Sequence, residues 1–217
     1  MNVRSPLQAQ AYANLKDWIL SGRLDANTLY SETRMAAEMG ISRTPMREAL
    51  QCLSQDGYIT VIPSKGFMIR QLNEKDMVES IQIRCAIEGF CTHIIAGEIQ
   101  TRKGQKLLRD LKKLLDQQEK SMTCDDGHKA FMECDHKFHL TLVNYVNNQE
   151  FNHTFQRLMY LIHLTTATAL SIPGRVEDTM IEHKQYFAYL QSGQGDEAYR
   201  LLVRHLMMPL NMKIVDR

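Results

Sequence analysis

The sequence predicts a mainly α-helical chain in two parts: a short unit of three helices and a β-hairpin, then an all-α bundle of six or seven helices. Three observations carry this expectation. Apolar residues recur at helical spacing over most of the 217 residues. The one departure is 58-YITVIPSKGFMIR-70, where the period drops to that of a strand and β-branched residues flank a Pro63–Gly66 turn. Glycine, proline and asparagine breaks then cut the remainder into helix-length pieces, with no second strand-rich region.

In chain order, residues 7–21 place Leu7, Ala11, Leu15, Trp18 and Ile19 on one helical face and stop at Gly22. A second short helix fits Glu32–Met39, with Met35, Ala36 and Met39 apolar and Gly40 as its stop. A third starts at Ser42, an N-cap residue type, and runs through Ala49, Leu50 and Leu53 to Gly57. Pro45 falls in its first turn, where a missing N–H is tolerated. After the hairpin, helices are expected near 74–97, 104–121, 127–147, 149–171, 176–192 and 195–213. The breaks fall at Gly97, Asp125-Asp126-Gly127, Asn147-Asn148, Pro173-Gly174 and Gly193-Gln194-Gly195. The division is therefore expected at residues 1–71 and 72–217, joined near Gln71–Lys75.

Composition bounds the class more than the function. A 44% hydrophobic and 24% charged chain is neither disordered nor fibrous. A net charge of +1 names no partner, and residues 1–70 hold only a small basic surplus. Five cysteines, odd in number and without a CxxC pair, point with the lack of an apolar signal segment to free thiols in a cytoplasmic protein. No uninterrupted apolar run is long enough to suggest a membrane span.

The first unit reads as a helix-turn-helix, with Gly40 allowing the turn and Ser42 opening the second helix. Arg43 and Arg47, four residues apart, share a face opposite Ala49, Leu50 and Leu53. Guanidinium groups there suit phosphate oxygens and the O6/N7 edge of guanine, and Lys65 would sit at the tip of a hairpin wing. The competing reading is a plain three-helix unit with a solvated arginine face.

The run 42-SRTPMREAL-50, followed by 53-LSQDGYI-59 and Gly66, resembles the winged helix-turn-helix of GntR-type bacterial repressors. The resemblance implies double-stranded DNA as partner, a pseudo-palindromic operator bound by a homodimer, and Arg43, Thr44 and Arg47 at the major groove, with Ser42 among the DNA-binding residues. It puts Gly66 at the minor-groove edge beside Lys65. Several members carry a DNA-reaching arginine in the preceding helix; Thr33 stands there here, with Arg34 beside it.

In the second unit the run 132-MECDHKFHL-140 gathers acids and histidines. On a helical wheel Asp135 and His139 share the face of Phe131, Phe138 and Leu142, while His136 lies toward the flank. His183 shares a face with Met180, Tyr186, Phe187 and Leu190. His205 does so with Ala198, Leu201, Leu202, Met208 and Met212. One inward histidine is ordinarily a core residue. Three with an inward carboxylate suggest a divalent ion, since burying an unpaired carboxylate is costly. Zinc, nickel or manganese would suit the donors.

Residues 73–214 also resemble the helical ligand-binding domain of the FadR branch of GntR regulators, through 135-DHKFH-139, Asn148, 173-PGR-175, Glu182-His183 and His205. The resemblance implies that Asp135, His139, His183 and His205 hold a metal and that the metal takes a small organic or sugar acid. Asn148 is expected near that ligand. Arg84 points inward with Met77, Ile81, Ile87 and Cys91, either as a second anchor for the carboxylate or as an internal partner of Glu88. His163 either lines the pocket or packs in the core. The functions left open are a ligand-responsive transcription factor, a metalloenzyme built on the Asp/His centre, and a constitutive DNA-binding protein with a structural metal.

Overall fold

Helical periodicity and a few side-chain caps account for most of the elements. The structure, a computed structural model, describes residues 6–71, 73–124 and 127–211. Asp125-Asp126, Met212 and the end expected for the last helix lie outside them. The chain divides into two compact units, Met1–Gln71 with Arg157–Tyr160 and Leu72–Gln156 with Leu161–Arg217.

In the first unit, α1 (Pro6–Leu20) packs on α3 (Arg43–Gln55), with α2 (Glu32–Glu38) beside it. The core between them is Ala11, Leu15 and Ile19 of α1 with Met46, Ala49, Leu50 and Leu53 of α3. Leu7, expected on that face, is 50% exposed. Trp18 is only partly buried and carries the Arg23 guanidinium 3.8 Å above its ring. Tyr12 donates to Asp56 Oδ2 at 2.6 Å, tying α1 to the end of α3.

Ser31 caps α2 by accepting from the Arg34 N–H. Ser42 occupies the N-cap position of α3 with extended backbone but makes no side-chain cap bond. An N-cap serine bonds the N–H two or three residues on, and Pro45, three residues on, has none to offer.

Strands β1 (Ile59–Ile62) and β2 (Gly66–Ile69) pair antiparallel, Ile59 opposite Ile69 and Ile62 opposite Gly66. Tyr30 adds a third edge, exchanging two backbone hydrogen bonds of 2.8 and 2.9 Å with Phe67 and stacking on its ring. Gly66 is required by that bridge. Its φ is +139°, and a Cβ there would overlap the Tyr30 carbonyl oxygen.

The second unit is the helical bundle α4 (Glu74–Glu98), α5 (Arg102–Ser121), α6 (Gly127–Tyr145), α7 (Gln149–Leu170), α8 (Arg175–Gln191) and α9 (Gly195–Asn211). Asn73, Thr101 and Asn148 cap α4, α5 and α7 with their side chains. α4 packs on α9 and α6, α5 on α6 and α8, and α8 on α9. The inward face of α6 is as expected: Phe131, Asp135, Phe138, His139 and Leu142 are all buried. Pro209 lies inside α9, so the carbonyl of residue 205 loses its usual helical donor at the end where that helix meets the cluster described next. Among the described residues no helix is long and apolar enough to cross a membrane, and the five cysteines are free.

Candidate metal centre and nucleic-acid interface

The bundle brings Asp135 and His139 of α6 together with His183 of α8 and His205 of α9. One donor atom from each lies within 4.8 Å of all the others. Asp135, His139 and His183 are buried, and the His205 side chain is 10% exposed. His183 Nε2 is 3.4 Å from His205 Nε2 and 3.6 Å from Asp135 Oδ1, and His139 Nε2 is 4.0 Å from the same oxygen. Nitrogens on a tetrahedral zinc with bonds of about 2.0–2.1 Å stand about 3.3 Å apart, so the His183–His205 separation suits one ion.

What orients each ring is a partner on its other nitrogen. Nδ1 of His139 donates to Glu88 Oε2 at 2.5 Å, Nδ1 of His183 to Gln118 Oε1 at 3.0 Å, and Nδ1 of His205 to Glu182 Oε2 at 2.7 Å. This pattern leaves the three Nε2 lone pairs facing a common centre, the arrangement metal-binding histidines adopt. The Nε2 of His139 is buried with no protein partner, which is costly unless something outside the chain fills the role. The rings are held from behind: Phe138 stacks on His183 with centroids 4.4 Å apart, and His139 stacks on His205 at 5.3 Å.

The electrostatics agree with neutral His183 and His205 near ionised Glu88 and Glu182. Burial, followed by the neighbouring histidines, pulls His183 well below its ordinary pKa, and burial pulls His205 down too. Burial by itself would raise Glu88, but Arg84 and His139 outweigh it and hold its pKa at about 2. Glu182 is brought to about 2 against its own desolvation by His205 and Arg175. The donor set, its spacing and the unpartnered Nε2 all fit a divalent metal.

A cavity of about 30 Å³, room for a water or two, adjoins this cluster. Arg84, Asp135, His139, Thr165, Arg175 and His205 are among its walls. Arg84 takes the internal pairing expected of it and lines the cavity. Its Nε donates to Glu88 Oε1 at 2.8 Å, while its NH2 is buried without a partner. Arg175, quoted only within 173-PGR-175, proves to be a buried arginine whose NH2 donates to Glu182 Oε2 at 2.8 Å.

Two expected ligand residues stand elsewhere. Asn148 does not line this cavity, because its side-chain oxygen is engaged by the Glu150 and Phe151 N–H groups at the start of α7. His163 faces His136, ring centroids 5.6 Å apart, rather than the cavity. The surrounding partners Glu88, Gln118 and Glu182 were not singled out as site residues from the sequence, although Glu88 was named as a partner for Arg84. Their identity as ring-orienting groups depends on contacts 51, 65 and 23 residues apart along the chain.

In the first unit Arg43, Arg47, Lys65 and Gly66 line one cleft of about 340 Å³ between α3 and the hairpin. Arg34, Ser42 and Thr44 are exposed but do not line it. Glu32, at the start of α2, was not foreseen. It accepts from Arg47 Nε and NH2 at 3.3 and 3.1 Å and from Arg43 Nε at 3.4 Å.

Comparison with known proteins bears on both units. The FCD domain family matches residues 79–207, and the family described as bacterial regulatory proteins, gntR family, matches residues 7–69. The HTH-type transcriptional regulator YdhC of Bacillus subtilis is 26% identical over 201 residues, 93% of this chain and 88% of its own. The gluconate operon transcriptional repressor of Bacillus licheniformis is 29% identical over 67% of this chain and 57% of its own. A GntR transcriptional regulator from Rhodococcus sp. RHA1 shares the fold, with a TM-score of 0.79 at 18% identity over 98% of this chain and 99% of that one. These relatives are regulators and not enzymes, which sets the metalloenzyme reading aside. The chain belongs to the gntR family of bacterial transcriptional regulators, in the branch whose second unit is an FCD domain.

Proposed function

We propose that this regulator is a dimeric repressor whose residues 1–71 bind a pseudo-palindromic operator and whose residues 72–217 sense a small organic or sugar acid through a divalent metal. The observation that carries the proposal is the convergence of three histidine Nε2 atoms and the Asp135 carboxylate beside the unpartnered Arg84 NH2. Asp135, His139, His183 and His205 would hold the metal, and the metal would supply a Lewis-acid site for a carboxylate oxygen. Glu88, Gln118 and Glu182 keep the rings aimed. The Arg84 guanidinium offers hydrogen-bond donors to the ligand's second oxygen, and its attachment to Glu88 removes the cost of ordering it. The gluconate operon repressor among the relatives supports a sugar acid as one class to test.

A cavity this small must open to admit an acid, so ligand binding favours one packing of the helices over another. α4 carries Arg84 and Glu88 and follows the hairpin in sequence after a short connection, which makes it the covalent route from ligand to DNA-binding unit. Arg43, Thr44 and Arg47 on α3, with Ser42 before it, would meet the major groove. Lys65 and Gly66 of the hairpin and Arg34 of α2 would lie toward the backbone.

The test is metal analysis of the purified protein with a thermal-shift screen of small carboxylates. One equivalent of metal, and an acid that stabilises the protein only until EDTA is added, is the expected result. At an acid concentration of 100 times its Kd the gain is about 2.7 kcal/mol. No bound metal, or an acid response that survives EDTA, would overturn the metal-sensing part.

A further inference from the structure

The acidic residue between the two recognition arginines has no place in a simple picture of positive charge meeting phosphate. Glu32 is the first residue of α2, its side chain 22% exposed, and both Arg43 and Arg47 of α3 donate to it. We propose that Glu32 is a positioning residue that sets how sharply the recognition helix distinguishes its operator from bulk DNA. The inference rests on the DNA-binding reading of α3 given above.

The geometry is specific about which edge of each guanidinium is occupied. Arg47 presents Nε and NH2 to the two oxygens of Glu32, so that side of the fork is held. The end-on edge, NH1 with the second hydrogen of NH2, stays available for the paired acceptors of guanine. Arg43 is held through Nε alone, leaving both of its terminal nitrogens available. A long side chain restrained before binding loses less rotamer freedom on reaching a base.

Charge acts in the same direction. A carboxylate among these arginines repels phosphates and offsets part of the attraction that any DNA sequence would feel. It therefore weakens sequence-independent binding while the aligned end-on edge preserves base reading. Glu32 also favours the positive end of α2, but that contribution would change the fold's stability and leave the ratio of specific to non-specific binding alone.

The experiment uses the full chain with a duplex selected from a random-sequence pool and a scrambled duplex of equal length, across a salt series. Glu32→Gln, which keeps the shape and loses the charge, and Glu32→Ala are compared with wild type and with Arg47→Ala, melting curves being recorded for each. The expected result is a specific-to-non-specific ratio lowered about tenfold in both Glu32 variants. Non-specific binding should grow tighter, and its salt slope steeper by about one as an arginine is freed for phosphate. An unchanged or higher ratio in the Glu32 variants, with Arg47→Ala weakening the selected duplex, would overturn the inference. Arg47→Ala binding the selected duplex as wild type does would overturn the recognition-helix reading beneath it.

Discussion

Arg84 and Glu88 lie four apart on α4 and pair at 2.8 Å, and Glu88 has a second commitment. Glu88 is fully buried and also takes the Nδ1 proton of His139. Removing its charge by Glu88→Gln leaves the Arg84 cation buried without its counter-ion, a loss expected to cost about 3–5 kcal/mol in a urea melt. The same variant should lower metal affinity about 10–100-fold in a chelator competition, because the His139 ring is no longer held by an anion. Wild-type metal affinity in this variant would mean that Glu88 does not orient the ring. The pairing of Arg84 with Glu88 was legible from their spacing. The bond from Glu88 to His139 was not, since no periodicity in α4 records what stands opposite it on α6.

At the level of elements, local patterns predicted helices well and their ends less well. α6 was expected to reach residue 147 and stops at Tyr145, and α5 starts at Arg102 because Thr101 accepts from the Gly104 N–H. Ser42 holds the N-cap position of α3 as expected, but its side chain makes no cap bond, and the proline three residues on offers no N–H for one. Gly66 was placed by resemblance at the edge of DNA, and the structure supplies an internal cause for a glycine there. Gly66→Ala is expected to destabilise the protein by about 1–3 kcal/mol, through backbone strain and separation of the Phe67–Tyr30 bridge. A thermal melt matching wild type would show that the bridge does not need glycine. DNA affinity should fall in parallel if the hairpin wing helps to hold the duplex.

For the molecule as a whole, the buried charges make stability depend on pH in two stages. His136 is lowered from 6.5 to about 4 by burial, and His183 and His205 are lowered chiefly by burial as well. Each binds a proton less readily folded than unfolded, so stability of the metal-free protein falls as pH drops through 6.5 toward 4. Glu88 and Glu182 behave as depressed carboxylates. Their contribution is present above the unfolded value of 4.5 and is lost as pH falls toward about 2. Urea melts of EDTA-treated protein at a series of pH values should show both declines, and a flat profile between pH 7 and 4 would contradict the buried neutral histidines (range set by the shifts above). Metal should restore part of the loss near pH 6, where it competes with protons for the same imidazoles.

Periodicity, breaks and turn residues were enough to determine the mainly helical chain, the hairpin between α3 and α4, and the inward direction of Asp135, His139, His183 and His205. These are properties of one helix or one turn, set by which side chains avoid water and which backbone angles a residue tolerates. Only the tertiary structure decided that the four donor atoms meet within 4.8 Å, that Glu88, Gln118 and Glu182 bond the ring nitrogens behind them, and that Glu32 pairs with both Arg43 and Arg47. It also assigned Asn148 to a helix cap and turned His163 toward His136. Such matters depend on how helices distant in sequence are packed against one another. Many side chains of the right type share an inward stripe, and close packing alone selects which of them touch.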